Sequence, residues 1–361
     1  MITKKGQLLN KLTALLTIAV GVHVVLAFLF AAFGYAHGFM GFRGLANFIW
    51  DPTESVTSNP EFIQVSAKVS WSGDIENFDI DESSGLASSL LHPDTLWTIN
   101  DSGSEPILYA LSTDGRSRGQ VYVETEHQID WESLGSFRLN DRAYLAIGDT
   151  GDNFRWRREV AVIIVPEPEL TQQIVKPEWE IRYRYPDEPR DSEALAVDAV
   201  EGKILVVSKR MYPPRLFTIP LQPTSQDVQV AQEIGALVLP RPTALELERN
   251  GDAKYRHMPS GMDLTIDDRG HRLLLITTYR HAYLYDFGAQ GFAMNKPPWQ
   301  VLLPRLGQRE AIAFLQKKAN TAYVSKERFE GTGIADLFRI DIKETPQSQD
   351  HESRLTPAGA F

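Results

Sequence analysis

The stretch RDSEALAVDAVEGKILVVSKRMYPPRLFTIP, residues 190–220, decides the fold. It begins with a run of small and apolar residues, EALAVD (193–198), and continues with ILVVSK (204–209) and RLFTIP (215–220). Short apolar runs that are separated by Gly, Asp and Pro turns are typical of antiparallel β-strands. The small residues of the first run suit an innermost strand, where the sheets of a radial fold crowd around a narrow axis.

The same pattern recurs four more times along the chain. First runs begin with SGLA (84–87), ESLG (132–135), SGMD (260–263) and EAIA (310–313). Second runs are LWTIND (96–101), YLAIGD (144–149), LLLITT (273–278) and TAYVSK (321–326). Third runs are ILYALS (107–112), VAVIIV (160–165), AYLYDF (282–287) and DLFRID (336–341). Fourth runs are GQVYVE (119–124), WEIRYRY (179–185), the residues near 228–238, and WQVLLP (299–304).

Four strands per unit and a repeat of roughly 50–70 residues predict an all-β protein, a β-propeller of five four-stranded blades. The last unit lacks a fourth strand after DLFRID. The N-terminal run FIQVSAKVSW (62–71) would supply that strand and so close the ring. Two alternatives stay open: six blades, if residues 220–260 contain a further sheet, and tandem sheets that do not close into a ring.

An apolar segment precedes the repeat. It runs from Leu12 to Phe33, about 22 residues, and roughly 20 helical residues cross a bilayer core. Lys4, Lys5 and Lys11 stand just before it, and positive flanks stay cytoplasmic. The sequence therefore predicts one transmembrane helix in the cytoplasmic (inner) membrane, with the C-terminal domain on the periplasmic side. A cleaved signal peptide and a buried core helix are the alternatives.

These elements predict four regions along the chain. Residues 1–50 form the membrane anchor and juxtamembrane segment, and residues 51–61 form a polar linker. Residues 62–343 form the propeller, and residues 344–361 form a polar C-terminal tail. The lipid bilayer is thus the first predicted partner.

Charge and composition exclude several classes of function. Beyond residue 50 the chain holds 33 basic and 47 acidic side chains, a net charge of −14, because the first 50 residues hold four basic and no acidic ones. Such a domain repels phosphate backbones, so nucleic acid is not an expected partner. The chain has no cysteine, which excludes disulfides and thiolate metal sites. HExxH, GxSxG and glycine-rich phosphate loops are also absent from the sequence.

Several motifs, read in order, resemble those of a family of bacterial β-propellers whose biochemical role is not settled. The matching stretches are DESSGLA (81–87), LWTINDSG (96–103), DWESL (130–134), GDTGDNFRWR (148–157), RDSEALAVD (190–198) and QREAIAF (308–314). The family is loosely similar to TolB-like and phytase-like propellers. The resemblance spans about residues 80–343 and implies a fold and a site on the axis, but no substrate. Arg309 stands where the family pattern has glycine, so the match is weakest in the last repeat.

The repeat also predicts where the functional side chains gather. In an antiparallel blade, the start of the first strand and the end of the second lie at the same face. The predicted ligand-binding residues of this axial face are Ser84, Asp101, Glu132, Asp149, Glu193, Lys209, Ser260, Arg280, Glu310, Lys326 and Glu327. The predicted candidates for metal ligation are Asp149, Asp152, Glu132, Glu193 and Glu310.

This set of residues allows several kinds of chemistry. Carboxylates can hold a hard cation such as Ca²⁺, and a mixture of charges can bind a small polar ligand or a protein partner. Paired carboxylates beside cations can also support hydrolysis of the phosphoesterase or lactonase type. The alternative is that these charged side chains only form salt bridges with one another, which would close the central tunnel without binding a ligand. The GDTGDN motif is likewise either part of a calcium loop or an Asx turn.

Overall fold

The structure is a computed structural model that describes residues 59–343 except 226, 250–254, 290–291, 293–296, 305–307 and 327–334. The predicted membrane segment, residues 12–33, and the predicted C-terminal tail lie outside these residues. Within the described ranges, no helix is both long and apolar enough to cross a membrane.

Five antiparallel sheets, each with four principal strands, form the blades of a propeller, which confirms the predicted fold and blade number. Blade 1 contains β2 (Ser83–Ser88), β3 (Thr95–Asn100), β4 (Ile107–Ser112) and β5 (Ser117–Val123). Blade 2 contains β6 (Trp131–Leu139), β7 (Arg142–Asp149), β8 (Val160–Pro166) and β10 (Trp179–Arg184). Blade 3 contains β11 (Ala194–Asp198), β12 (Lys203–Val207), β13 (Arg215–Pro220) and β15 (Gln232–Ala236).

Blades 4 and 5 complete the ring. Blade 4 contains β16 (Pro259–Ile266), β17 (Arg272–Thr278), β18 (His281–Asp286) and β19 (Trp299–Leu302). Blade 5 contains β20 (Arg309–Phe314), β21 (Thr321–Lys326), β22 (Asp336–Ile342) and, as its outermost strand, β1 (Ala67–Asp74). Two short parallel strands, β9 (Ile174–Val175) and β14 (Gln229–Val230), extend blades 1 and 2 at their outer edges. The region 220–260, which the six-blade alternative required to hold a sheet, contains β14, β15 and a short helix, α1 (Ala244–Arg249).

The N-terminal strand closes the ring, as predicted, but lies further along the chain than 62–71. β1 pairs antiparallel with β22, from Ala67 opposite Ile342 to Asp74 opposite Asp336. The predicted start was too early because residues 63–65 pair with Gln300 of blade 4 instead. One blade therefore contains both ends of the propeller sequence.

Packing explains the difference between inner and outer strands. The five innermost strands, β2, β6, β11, β16 and β20, lie side by side around the axis and are buried on both faces, so they carry few large side chains. A Cβ atom on Gly85 would lie 2.8 Å from Leu134 Cβ in the next blade, and one on Gly261 would lie 2.8 Å from Glu310 O. Outer strands such as β10 alternate between buried and exposed residues, because one face meets solvent.

Candidate functional site

A β-bulge at the start of the innermost strand places one extra residue at the axial end of each blade. The register shifts around Ser84, Glu132, Ser260 and Glu310, each of which is the extra residue of its strand. In blade 3, Lys209 N donates to Asp191 O (2.9 Å) while Ala194 pairs with Val207, which leaves two residues, including Glu193, opposite one. All five of these side chains are buried. Bulges of this kind re-aim side chains next to functional sites.

The three glutamates of this set converge on Lys209. The Lys209 ammonium forms an ion pair with Glu193, and it also lies 3.3 Å from the hydroxyl of Tyr279. The Tyr279 hydroxyl forms a hydrogen bond with Glu310, and the charge of Lys209 acts on Glu132 as well. Lys209 is therefore the cation around which the carboxylates of blades 2, 3 and 5 gather.

Burial and mutual repulsion change the acidity of these groups. Burial raises the pKa of Glu132 well above the ordinary value, and the neighbouring Glu193 and Asp101 raise it further. Burial also raises the pKa of Glu193 above its ordinary value, although Lys209 opposes this. Burial lowers the pKa of Lys209, but Glu193, Tyr279 and Glu310 raise it more, so the net shift is upward and the ammonium stays charged.

A second group of carboxyls lies beside Glu132. One oxygen each of Asp101, Asp130 and Glu132 lies within 4.8 Å of the other two. Burial, followed by the charge of Asp101, raises the pKa of Asp130 to about 8. Glu132 is only 3% exposed, and its carboxylate has no hydrogen-bond partner among the described residues. We refer to Asp101, Asp130 and Glu132 as the carboxylate triad.

Gly151 shapes the back of the triad. A Cβ atom at this position would lie 2.3 Å from Asp130 Oδ2 and 2.8 Å from Glu132 Cγ. The Gly151 amide also donates to Asp130 O (3.2 Å). Glycine is thus required at position 151, the second glycine of GDTGDN, because any side chain there would displace the carboxyls of Asp130 and Glu132.

Asp149 supports the triad from behind rather than facing the axis. Its Oδ1 accepts hydrogen bonds from the amides of Ile129 (3.1 Å) and Asp130 (2.7 Å). Its Oδ2 lies 2.7 Å from Nη2 of Arg157, and both side chains are almost fully buried. Asp149 therefore fixes the backbone that carries Asp130, and protein donors occupy both of its oxygens.

Asp152, the second acid of GDTGDN, caps a turn. Its two oxygens accept the amides of Trp156 (2.7 Å) and Arg157 (2.9 Å). Its own amide donates to Asp191 Oδ1 (2.9 Å) in blade 3. Burial raises the pKa of Asp152 to about 7. The two accepted amides lie four and five residues after Asp152, so the carboxylate stabilises the loop 152–157 without the bond to the residue two positions on that defines an Asx turn.

Most of the other residues that the sequence predicted for the axial face have partners elsewhere and do not join this cluster. Arg280 forms an ion pair with Glu246 of α1 (2.6 Å), and Lys326 lies 3.5 Å from Asp336 on the adjacent strand. Ser260 Oγ donates to a backbone oxygen of the next blade (2.6 Å), and Ser84 is buried in its bulge. Glu327 lies outside the described residues. The structure thus brings Asp101, Glu132, Glu193, Lys209 and Glu310 together and separates Asp149, Arg280 and Lys326 from them.

Three residues of the site were missed by the sequence analysis: Asp130, Gly151 and Tyr279. Asp130 has a signal in the sequence, because an acid stands two residues before the bulge glutamate in both DWE (130–132) and DSE (191–193). Tyr279 has none, since it lies in a turn that differs from blade to blade.

The chain has only distant similarity to known proteins. No family model matches the chain, and no curated protein matches it. Among solved structures, the luciferin-regenerating enzyme is 9% identical, with a TM-score of 0.37, over 76% of this chain and 95% of that chain. A gluconolactonase from Xanthomonas campestris is 10% identical, with a TM-score of 0.36, over 80% of this chain and 99% of that chain. The hydrazine synthase of Kuenenia stuttgartiensis is 10% identical, with a TM-score of 0.37, over 74% of this chain and 64% of that chain. Similarity at this level supports no conclusion about the fold or the chemistry of this chain.

Proposed function

We propose that the axial face binds a divalent cation of the Ca²⁺ type at the carboxylate triad, and a small polar ligand beside that cation. The observation that carries the proposal is Glu132: a carboxylate that is 97% buried, has no hydrogen bond among the described residues, and lies next to two further carboxyls. Burial and the neighbouring Glu193 and Asp101 disfavour the negative charge on Glu132 more than Lys209 favours it, so the pKa of Glu132 is raised, and a bound divalent cation would stabilise the ionised form.

The distances and ligand types fit a hard cation. Two oxygens that share one Ca²⁺ at about 2.4 Å lie at most about 4.8 Å apart, and the three oxygens of the triad all lie within 4.8 Å of one another. The triad consists of carboxyl oxygens only, with neither histidine nor cysteine, and such donors favour Ca²⁺, Mg²⁺ or Mn²⁺ over zinc or copper. Ca²⁺ takes six to eight oxygens, so water and ligand oxygens would complete its shell.

The charge of the site defines the ligand class. Five carboxyl groups, those of Asp101, Asp130, Glu132, Glu193 and Glu310, face a single ammonium, that of Lys209. An anion would be repelled unless the cation binds with it. The expected ligand is therefore a neutral polyol, ester or lactone, or an anion that binds only together with the cation. A nucleic acid is not expected to bind.

Cation binding is tested by thermal unfolding with added Ca²⁺ and with a chelator. At a concentration 100 times the Kd, a ligand that binds only the folded state stabilises it by about 2.7 kcal/mol. We expect Ca²⁺ to raise the melting temperature of the wild type, and Glu132→Gln to remove the response. Asp341→Asn is the matched control, because it removes one carboxylate from a half-exposed pair with Arg339 far from the axis. Equal responses in all three proteins would overturn the proposal.

Hydrolysis at the same face is the second candidate function. It is favoured by the chain of contacts from Glu193 through Lys209 to Tyr279, which places a carboxyl of raised pKa beside the triad. A cation bound there would supply electrophilic polarisation of a carbonyl or phosphoryl oxygen. Glu193 would accept the proton of the attacking water. A screen of phosphate esters and lactones tests this, with turnover expected to fall in Glu193→Gln and to persist in Asp341→Asn.

The location of the protein is a further part of the proposal. Leu12–Phe33 would anchor the chain in the inner membrane and hold the propeller on the periplasmic side, as its length and the preceding lysines suggest. Protease treatment of spheroplasts tests this. We expect the propeller to be digested from outside, and protection would reverse the orientation.

A further inference from the structure

Four arginines are buried among the described residues, and one of them lacks the acidic partner that the other three have. Three of them form ion pairs with aspartates: Arg157 with Asp149, Arg190 with Asp187 and Arg272 with Asp198. Arg309 is 2% exposed, and no carboxylate in the described ranges forms an ion pair with it. A buried charge without a counter-charge is costly, so buried charged groups usually have a partner. Arg309 is thus a buried cation for which the described part of the chain supplies no acid.

Neutral acceptors hold one nitrogen of the Arg309 guanidinium. Its Nη1 atom donates to the backbone oxygens of Tyr279 (2.6 Å) and Arg280 (3.3 Å), in the turn between β17 and β18 of blade 4. Ser260 Oγ donates to the backbone oxygen of Arg309 (2.6 Å), so blade 4 fixes both the backbone and the side chain of this residue. The Nη2 atom is also buried, and it has no hydrogen-bond partner within the described residues. The guanidinium is therefore held in place while one of its nitrogens remains free to donate.

The described carboxylates of the axial face do not neutralise this guanidinium. Burial lowers the pKa of Arg309 to about 10, and no charged side chain in the part of the chain that the structure describes changes it further. A nearby carboxylate would raise the pKa instead. In Arg210, for comparison, burial lowers the pKa but Asp191 and Glu193 raise it more, so the net shift is upward. Arg309 therefore remains charged at pH 7, and an anion beside its Nη2 atom would lie apart from the axial carboxylates.

We propose that Arg309 forms an anion site at the boundary between blades 4 and 5, where its Nη2 atom donates to an oxygen of a carboxylate or phosphate group. Hydrogen bonds from a guanidinium to such an oxyanion are short and about twice as strong as neutral hydrogen bonds. The bonds to the backbone oxygens of Tyr279 and Arg280 already fix the guanidinium, so little side-chain freedom is lost when the anion binds. The anion site uses no residue of the carboxylate triad and requires no cation, so it is separate from the site of the proposed function.

Holding the turn that carries Tyr279 is a second role of Arg309, but it does not account for the charge. A neutral amide donor could bond to the same backbone oxygens without the cost of a buried ion. The bonds to the turn also leave Nη2 unpaired, and a buried donor without an acceptor is destabilising. A bound anion accounts for the charge and for the unpaired nitrogen together.

Thermal unfolding of the full chain in a nonionic detergent tests the site with inorganic phosphate and with acetate. A chelator is present throughout, and sodium chloride keeps the ionic strength constant. An anion that binds only the folded state stabilises it by mass action. We expect phosphate, acetate or both to raise the melting temperature of the wild type above its value in sodium chloride alone. The anion that gives the larger rise identifies the ligand group that the site prefers.

Substitutions at two arginines separate binding at this site from general salt effects, which act on all variants alike. Arg309→Gln removes the charge and is expected to lose the rise in melting temperature. Arg309→Lys keeps the charge on a single nitrogen without the planar fork, so it is expected to need a higher anion concentration for the same rise. Arg116→Gln is the matched control, because the Arg116 side chain is 71% exposed and pairs with Asp114 at 3.3 Å. It is expected to respond like the wild type.

Several outcomes would overturn the anion site. A wild type that responds to neither anion overturns it, and so does an Arg309→Gln protein that responds like the wild type. A response that appears only when Ca²⁺ replaces the chelator would put the anion beside the carboxylate triad and would also overturn it. If Arg309→Gln does not fold, Arg309→Lys decides instead, and a response equal to that of the wild type counts against the site. Failure of Ca²⁺ to bind at the triad leaves the anion site standing, since the chelator has already removed the cation.

Discussion

Replacing Lys209 by methionine tests the electrostatics of the site most directly. Lys209 is 4% exposed and Glu193 is 5% exposed, and the two form an ion pair. Methionine keeps much of the volume and removes the charge. Glu193 would then be buried beside Glu132 and Glu310 without its ion-pair partner, and the nearest remaining cation that acts on it would be Arg210, which is itself paired with Asp191.

The size of the effect follows from proton uptake. Without Lys209, Glu193 avoids a bare buried charge by binding a proton, and a glutamate has an ordinary pKa of 4.5. Holding that proton at pH 7 costs at most about 3.4 kcal/mol, at 1.36 kcal/mol per pH unit. The substitution adds this full cost only where the ion pair with Lys209 keeps Glu193 charged in the wild type. Because the pKa of Glu193 is raised to about 8 even beside Lys209, the added cost is smaller to the extent that Glu193 already carries a proton. The upper limit agrees with the roughly 3–5 kcal/mol that is typical when one partner of a buried pair is removed. At pH 5 this limit falls to about 0.7 kcal/mol.

The loss of stability in Lys209→Met is therefore expected to increase with pH. An acid with a raised pKa in the folded state destabilises the fold increasingly as pH rises above its unfolded pKa. We expect urea unfolding to show a loss for Lys209→Met of up to about 3 kcal/mol at pH 7 and less than about 1 kcal/mol at pH 5. The double variant with Glu193→Gln is expected to recover most of the loss at pH 7.

A matched surface substitution controls for the loss of a lysine. Lys176 forms an ion pair with Glu124 at 3.1 Å, and both side chains are more than half exposed. Lys176→Met is expected to cost less than about 1 kcal/mol at either pH. The reasoning fails if Lys209→Met loses the same stability at pH 5 and pH 7, or if the double variant is no better than the single one.

Three further predictions concern the triad, a buried histidine and the closure of the ring. Gly151→Ala is expected to reduce the rise in melting temperature that Ca²⁺ produces, because the new Cβ would lie 2.3 Å from Asp130 Oδ2; an unchanged response would contradict the proposed site. Burial lowers the pKa of His257 to about 4, so the unfolded chain alone takes up a proton below about pH 6.5 and stability falls toward pH 4. His257→Phe should flatten this part of the urea-derived stability curve by up to about 3 kcal/mol, and an identical pH slope would count against it. A chain that begins at Glu61 should melt higher than one that begins at Asp81, because the second lacks β1 and exposes the edge of blade 5. Equal melting temperatures would argue against closure by β1.

The repeat in the sequence was sufficient to predict the propeller, for a physical reason. An innermost strand is buried on both faces and touches its neighbours closely, so positions such as Gly85 and Gly261 have little choice of residue. The same constraint recurs five times and is visible without a structure. The outer strands are less constrained, and the start of β1 was accordingly misplaced by five residues.

The site was predicted only in part, because the repeat indicates on which face of the propeller a residue lies but not in which direction its side chain points. The repeat placed Glu132, Glu193 and Glu310 on one face, and the structure brings them together around Lys209. It gave Lys326 the same position as Lys209, yet Lys326 pairs with an aspartate of the adjacent strand. Position in the repeat determines where the Cα atom of a residue lies, whereas the charged groups around it determine where its ammonium or carboxylate group lies.

The bulges explain why a nearly symmetrical ring carries an asymmetrical site. Each blade has one extra residue at or just before the start of its first strand, so the fold itself supplies five equivalent positions. Blades 1 and 4 hold serines there, whereas blades 2, 3 and 5 hold glutamates. A ring that served only to close the tunnel would need no such division, since five small residues would pack as well. The negative charge instead concentrates beside blade 2, where Asp130, Asp101 and the glycine of GDTGDN adjoin Glu132, while the cation stands in blade 3. Blade 2 therefore holds three neighbouring carboxyls, whereas blade 3 holds the Glu193–Lys209 ion pair, and this asymmetry is what we expect of the proposed cation site with a polar ligand beside it.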